Sequence, residues 1–247
     1  MVSRFLILSV IACLLCVPVR AAEKVDLELV LLADASGSID EAETRFQREG
    51  YAAAFAHRDV LSAIASGFHR RIAVTFVEWG DEHNIDVVVP WTMVSDLASA
   101  KALGDALRLQ PKKAWGRNAI GAAIAKGHSL IESNDIQGVR KVIDFSGDSA
   151  NSWSGPPVSE ARAAALAAGI VINGLAIACR DIGCGRSVGY DLERAFARTI
   201  IGGPGSFVVT ADSKTSFGEA VRRKLVLEIA GITPVQTKRY AGNRDLR

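Results

Sequence analysis

Several features that would point directly to a function are scarce or absent in this sequence. Its 29 basic and 27 acidic residues give a net charge of +2, without the basic excess that usually accompanies nucleic-acid binding. It has no apolar run long enough for a confident membrane span, and no internal repeat or low-complexity tract. A chain of 247 residues with these properties is expected to form one large globular domain.

The N-terminus has the pattern of a secretory signal peptide. Arg4 provides a short basic start, an apolar run extends from Phe5 to Val17, and small residues end at Ala21. Removal of residues 1–21 would leave 27 basic residues against 27 acidic ones and no membrane span. The sequence therefore predicts an exported protein, periplasmic or secreted. Cys13 resembles the cysteine of a lipoprotein cleavage box, but it lies inside the apolar run, so lipidation stays a minor alternative.

The remaining chain is predicted to be one domain, residues 22–230, followed by a basic and flexible tail, residues 231–247. Two of the four cysteines leave with the signal peptide, and Cys179 and Cys184 remain. Two thiols without nearby histidines are too few ligands for zinc, and exported proteins form disulfides. We therefore expect a local disulfide between Cys179 and Cys184.

The strongest signal lies at the end of the first predicted strand. An apolar run from Val25 to Leu32 is typical of a strand buried on both faces, and it stops at Asp34-Ala-Ser36-Gly-Ser38. In open α/β sheets, ligand sites gather at the carboxyl ends of the strands. A carboxylate and two hydroxyls at such an end are ligands of the type that a hard cation prefers. Alone, the same short pattern is also compatible with a helix-capping loop.

This Asp-x-Ser-x-Ser motif after a buried strand resembles the metal-ion-dependent adhesion site of the von Willebrand factor type A family, in a secreted bacterial branch. The resemblance extends over roughly residues 25–229. It implies an α/β fold with a doubly wound, mostly parallel sheet, one antiparallel edge strand and helices on both faces, as the alternation of strand and helix patterns also does. Helices are predicted at residues 41–66, 95–109, 120–131, 157–168, 192–200 and 213–229, and strands at 71–79, 85–89, 139–145, 170–178 and 206–210.

Two later residues complete the site that the resemblance implies. Asn118 stands where the family usually has a threonine, and an amide oxygen can also bind a hard cation. Asp148 falls on the family's aspartate at the end of a later strand, whereas the competing Asp144 is expected to lie within the sheet. The predicted metal ligands are thus Asp34, Ser36, Ser38, Asn118 and Asp148. Trp153, in the following loop, is either packed on the domain or part of a contact surface.

Few carboxylates among oxygen-only ligands favour Mg²⁺ or Mn²⁺ over Ca²⁺, which usually takes more ligands. With two carboxylates the ion keeps a positive charge, so the implied function is binding of a protein partner that offers an Asp or Glu carboxylate. A scaffold of the same fold without metal is an alternative. A metal-dependent phosphatase-like enzyme is another, but Ser36 stands where such enzymes need a second aspartate. The four histidines are predicted to lie away from the site, and no enzymatic activity is expected.

Overall fold

A computed structural model describes residues 22–178 and 188–233 of the chain. The predicted signal peptide, the Cys179 and Cys184 pair, and residues 234–247 lie outside the described residues. The strands are β1 (Glu23–Asp34), β2 (Ile72–Trp79), β3 (Ile85–Val94), β4 (Ile136–Gly147), β5 (Val171–Ile177) and β6 (Val208–Ala211). The helices are α1 (Glu41–Phe55), α2 (Arg58–Ala65), α3 (Leu97–Leu109), α4 (Ile120–Glu132), α5 (Val158–Ala167), α6 (Leu192–Thr199) and α7 (Lys214–Ala230).

The six strands form one sheet in the order β3-β2-β1-β4-β5-β6, which confirms the predicted fold class. All neighbouring strands are parallel except β2 and β3, so β3 is the antiparallel edge strand. The chain turns from one side of β1 to the other between β3 and β4. Ligand crevices of open α/β sheets form where the strand order reverses in this way, and here that place is the carboxyl end of β1.

Strand β1 is buried on both faces, as its apolar run predicts. Leu29 and Leu31 pack into a core covered by α1, α2, α3 and α7, and Val30 and Leu32 pack into a second core covered by α4, α5 and α6. This alternation follows from the two-residue period of a strand. Within residues 22–178 and 188–233, no helix is both long and apolar enough to cross a membrane.

The single helix predicted for residues 41–66 is wrong, because the chain forms two helices there. His57 adopts an extended backbone (φ −75°, ψ 140°) between α1 and α2, and its Nδ1 atom accepts a hydrogen bond from the Asp59 amide at 3.2 Å. A histidine at an N-cap satisfies one of the free amides of the new helix, as the usual cap residues do. The prediction failed because both helices are apolar on the side that faces the same core.

The bounds of β3 and α3 also differ from the sequence-based prediction. Strand β3 continues past Val89 through Pro90 to Val94, and its register with β2 shifts at this place. Pro90 cannot donate to the ladder, and an edge strand with a local irregularity tolerates this loss. Helix α3 begins at Leu97 instead of residue 95, because Asp96 is its N-cap and its carboxylate accepts a hydrogen bond from the Ser99 amide at 2.8 Å.

Candidate metal centre

The first loop of the candidate site begins where β1 ends. Asp34 is buried, and its Oδ1 atom accepts a hydrogen bond from the Ser36 amide at 2.9 Å. This short turn orients the hydroxyls of Ser36 and Ser38, whose oxygen atoms lie 3.3 Å apart. Asp40 then caps α1, with its carboxylate accepting from the Glu43 amide at 2.8 Å. The motif is therefore not itself the helix cap, since Asp40 has that role.

Asp148 lies beside Asp34 at the carboxyl end of β4. The Asp148 amide donates to Asp34 Oδ2 at 3.4 Å, and both side chains are buried, with exposed fractions of 2% and 1%. Burial and, next, the charge of Asp148 together raise the pKa of Asp34 to about 7, although the hydrogen bonds from Ser36 and from the Asp148 amide lower it. A bound cation would reverse the effect of the Asp148 charge, because it favours two ionised carboxylates at one place.

The loop that carries Asn118 lies against the first loop. The Gly37 amide donates to the carbonyl of Gly116 at 2.7 Å, and Gly116 has the positive φ of 95° that glycine adopts without strain. The Asn118 carbonyl accepts from the Trp153 amide at 2.7 Å. The predicted ligands thus come from loops that contact one another. The contacts of Asn118 shown here are those of its backbone, so a role of its side-chain amide stays a prediction.

The structure separates Asp144 from this site. Asp144 lies on β4 inside the sheet, where its carboxylate is paired with the ammonium group of Lys224 at 2.7 Å. Lys224 also pairs with Glu228 one turn further along α7. All three side chains are buried. Strand β4 therefore directs Asp144 towards α7, while Asp148 emerges at the edge beside Asp34. The role of Asp148 as a metal ligand stays a prediction.

A buried ion pair supports the loop between α3 and α4, and the sequence analysis missed it. Arg48 on α1 pairs with Glu78 on β2, and Glu78 also accepts a hydrogen bond from the Lys113 amide at 3.0 Å. Arg48 donates to the Pro111 carbonyl at 2.9 Å. The available signal was Glu78 itself, since a carboxylate in a strand buried on both faces requires a partner.

Lys112 connects this loop with the Asp-x-Ser-x-Ser loop. Its ammonium group donates to the backbone carbonyl of Ile39 and lies 3.5 Å from the carbonyl of Ser36. Since the contacts go to backbone oxygens, they restrict the path of the loop and leave its hydroxyls available. Nothing in the local sequence indicates this contact, because it joins residues more than seventy positions apart.

The loop after β4 forms the remaining wall. Its Ser152 hydroxyl accepts a hydrogen bond from the Ile120 amide at the start of α4, at 3.1 Å. Tyr190, which precedes α6, donates or accepts at Ser149, with the two oxygens 3.3 Å apart, and its hydroxyl accepts from the Ala150 amide at 2.9 Å. The Arg117 guanidinium carbon lies 4.3 Å from the centre of the Trp153 ring. Trp153 is 61% exposed, so it is not a packed core residue.

The donors gathered here suit a hard cation but include few carboxylates. Among the residues that the structure describes, no group of three or more His, Cys, Asp or Glu side chains could hold a metal. The candidate site therefore depends on two carboxylates and on the hydroxyls of Ser36 and Ser38. Oxygen donors without histidine or cysteine fit Mg²⁺ or Mn²⁺ better than a soft cation.

One expectation about histidines needs correction. His83 lies in the loop between β2 and β3, which follows the strand end beside Asp34, so it shares the edge of the candidate site. Its side chain is exposed, and its backbone amide donates to Asp81 at 3.0 Å.

The mostly parallel sheet, its single antiparallel edge strand and its polar strand ends define a von Willebrand factor type A-like fold. Solved structures agree, although their identities to this chain are low. A von Willebrand factor type A protein from Catenulispora acidiphila is 15% identical, with a TM-score of 0.57 over 83% of this chain and 43% of that chain. Proximal thread matrix protein 1 from the mussel byssus, with a zinc-occupied adhesion-site motif, is 15% identical, with a TM-score of 0.57 over 84% and 48%.

Manganese-loaded TRAP protein from Plasmodium vivax is 14% identical, with a TM-score of 0.50 over 85% of this chain and 75% of that chain. The chain thus spans about half the length of the mussel protein and less than half of the Catenulispora protein. No curated protein matches the sequence. The chain itself belongs to the family DUF1194, described as a protein of unknown function, whose model matches residues 24–233.

Proposed function

We propose that this protein is an exported protein-binding module that holds one divalent cation through Ser36, Ser38 and Asp148, with Asp34 and Asn118 supporting the ion. The ion is Mg²⁺ or Mn²⁺, and its remaining coordination position takes an Asp or Glu carboxylate of a partner protein. Zinc and manganese in two similar folds support a divalent metal in general. In this proposal the metal centre binds a partner and does not catalyse a reaction.

One observation carries this proposal. The amide of Asp148 contacts the Asp34 carboxylate at 3.4 Å, and the turn after Asp34 places two serine hydroxyls 3.3 Å apart. Two buried carboxylates repel each other when both are ionised, and burial makes this repulsion stronger than in water. A divalent ion removes that cost. With only two carboxylates, the ion keeps enough charge to attract a third from outside.

Asp34 has a structural role as well. Both of its oxygens accept backbone amides, one from Ser36 and one from Asp148. A carboxylate has about four acceptor positions, so these bonds leave room for a metal-bound water. The same bonds would hold the loops together in a scaffold without metal, which is the second candidate function. Loss of Asp34 should therefore lower the stability of the fold as well as the affinity for the ion. Asp148 is the better position at which to test metal binding alone.

Hydrolase chemistry has less support in the structure. The sequence contains one Gly-x-Ser-x-Gly stretch, residues 185–189, whose serine, Ser187, lies outside the described residues. A nucleophile elbow requires the serine to stand directly between a strand and a helix. Since residues 179–187 lie outside the described residues, this stretch gives no structural support for a hydrolase.

The decisive experiment is calorimetric titration of the mature protein with Mg²⁺, Mn²⁺ and Ca²⁺. We expect one saturable site for Mg²⁺ or Mn²⁺ and weaker binding of Ca²⁺. Ser36→Ala combined with Ser38→Ala should abolish the saturable heat, because both hydroxyl ligands are lost. Ser133→Ala is the matched control, since that hydroxyl is exposed and bonds to the Ser129 carbonyl at the end of α4.

If the wild-type protein shows no saturable heat at millimolar metal, the scaffold function is correct and the metal proposal is wrong. If the double variant binds metal as the wild type does, the ion lies elsewhere.

A further inference from the structure

Beside the candidate metal centre, two indole rings are exposed on loops that the fold holds in place. Trp115 is 59% exposed and Trp153 is 61% exposed, and Arg117, two positions after Trp115, lies over the Trp153 ring. We call Trp115, Arg117 and Trp153 the aromatic platform. Most exposed apolar residues in proteins are isolated and need no explanation, but two tryptophans beside a polar site are a different case.

The platform is tied directly to the two loops that carry predicted ligands. Gly116, between Trp115 and Arg117, accepts a hydrogen bond from the Gly37 amide, and Gly37 separates Ser36 from Ser38. The Trp153 amide donates to the carbonyl of Asn118 at 2.7 Å. The backbone at each tryptophan's loop is thus joined to a candidate ligand loop by one short hydrogen bond. The aromatic platform therefore belongs to loops that border the candidate metal centre.

The backbone at Trp115 is held by the loop that follows β2. Its carbonyl accepts from the Asp81 amide at 3.0 Å. Gly80 lies so close that a β-carbon there would stand 2.0 Å from the Trp115 carbonyl oxygen. Gly80 is therefore required for this approach of the two loops. An indole on such a backbone loses little conformational entropy when it is covered by a partner.

Arg117 restricts Trp153 in a similar way. The guanidinium group lies over the indole ring, with a separation of 4.3 Å between its central carbon and the ring centre. This contact fixes the arginine and leaves its outward N–H groups able to donate to a carboxylate. The platform then carries a positive charge next to the proposed positive ion. Both charges favour an acidic partner.

From this arrangement we infer that the aromatic platform is the specificity-determining part of the partner site. It takes a protein segment in which the ion-binding Asp or Glu lies beside apolar or aromatic side chains. The acidic residue meets the ion and Arg117, and its neighbours cover the two indoles. Trp and Arg are the residue types that dominate binding free energy in protein interfaces. A neutral sugar would stack on an indole but would not use the two positive charges. This inference rests on the proposed function.

The test uses a displayed library of random peptides, selected on the mature protein in the presence of Mn²⁺. We expect the enriched peptides to share an acidic residue flanked by apolar or aromatic residues, and to dissociate in EDTA. Trp153→Ala and Trp115→Ala should each weaken these peptides at least about tenfold, because each removes a large buried contact. Both variants should bind Mn²⁺ as the wild type does.

Phe68→Ala is the matched control. Phe68 is 90% exposed and precedes β2, so it lies at the opposite edge of the sheet. Its substitution should leave peptide affinity unchanged. Arg117→Lys should weaken the peptides less than Arg117→Ala, since lysine keeps the charge but loses the planar stacking.

The outcomes separate this inference from the proposed function. If the tryptophan variants bind metal and keep the peptide affinity of the wild type, the role of the aromatic platform is wrong and the metal site is unaffected. Peptides that bind equally in EDTA would contradict the metal-dependent function, whatever the variants do. Failure to enrich any peptide would contradict the inference that the partner is a protein. Displacement of the peptides by a sulfated oligosaccharide that binds the platform more tightly would contradict it as well.

Discussion

The protein contains two pairs of buried carboxylates, one between the sheet and α7 and the other at the carboxyl edge of the sheet. Asp144 and Glu228 are paired with Lys224, which the protein itself supplies from α7. Asp34 and Asp148 meet at the edge of the sheet, where the charge of Asp148 is, after burial, the next cause that raises the pKa of Asp34. Asp144 and Asp148 are on the same chain segment, four positions apart. The position of a carboxylate relative to the strand end therefore decides whether it lies inside the sheet or at its edge.

The different positions of the two pairs indicate different roles. The inner pair is enclosed between β4 and α7, where a cation must be part of the chain. The outer pair lies where loops end and where ligands reach a sheet of this kind. We expect the inner cluster to contribute to folding and the outer one to metal binding. The following variants test that division, from the largest expected effect to the smallest.

Lys224→Met should have the largest effect on stability. It leaves Asp144 and Glu228 buried without their cation, and breaking a buried pair in this way costs about 3 to 5 kcal/mol. For a domain of this size the melting temperature should fall by roughly 6 to 20 °C. The rise in melting temperature that metal produces should persist, because the outer pair is intact.

Thermal melts with EDTA and with Mn²⁺ measure both quantities, and Lys101→Met on the exposed side of α3 is the control. A Lys224→Met protein as stable as the wild type would show that the inner cluster does not depend on the ion pair.

Asp148→Ala should have the opposite profile. The wild type should gain stability from Mn²⁺, about 2.7 kcal/mol at a metal concentration of about 100 times Kd, and the variant should gain none. In EDTA the variant should be close to the wild type, since one of two repelling carboxylates has been removed. Asp135→Ala, an exposed acid just before β4, serves as control.

A variant that melts far below the wild type in EDTA, and still responds to Mn²⁺, would assign Asp148 to the scaffold.

The change of stability with pH should also distinguish the two pairs, with an effect smaller than those of the variants above. Burial raises the pKa of Asp34 and the pKa of Glu228 to about 7, in each case with the charge of a neighbouring aspartate as the next cause. The folded protein therefore binds protons more tightly than the unfolded chain. Its stability should be highest below the ordinary pKa of these groups and should fall as the pH rises through 4 to 7.

Mn²⁺ should remove the part of this decline that belongs to Asp34, and Glu228→Gln should remove the other part. Denaturant unfolding at several pH values measures both. A stability that rises over this range in EDTA for both the wild type and Glu228→Gln would contradict the raised pKa values.

Lys112→Met should have the smallest effect. The ammonium group lies against the carbonyls of Ser36 and Ile39, so its loss should loosen the first loop. Loss of one such hydrogen bond is worth about 1 kcal/mol, which corresponds to a decrease of metal affinity of roughly fivefold. The melting temperature in EDTA should change little.

Lys113→Met is the matched control, because the contact of Lys113 with Glu78 uses its backbone amide. Equal metal affinity in the two variants would remove Lys112 from the positioning of the loop.

Much of the fold follows from local patterns. The apolar run before Asp34 predicts a doubly buried strand, and β1 has this environment on both faces. A helix is predicted at residues 213–229, and α7 spans Lys214–Ala230 with Ser213 as its N-cap. Local patterns failed where a boundary depends on distant contacts. At His57 one helix ends and another begins against the same core, and β3 extends through Pro90 where its pairing with β2 shifts in register.

The sequence by itself determined which residues could serve as ligands, because Asp34, Ser36 and Ser38 are alternate residues of one turn at a strand end. It also indicated Asp148 over Asp144, since alternation along a strand separates an inner residue from one at the edge. Only the tertiary structure decided how these residues meet. The contact of Asp148 with Asp34, the Arg48 and Glu78 pair behind the loops, and the place of Trp153 beside Asn118 all join distant parts of the chain. Such contacts depend on strand order and loop packing, and local sequence does not specify either.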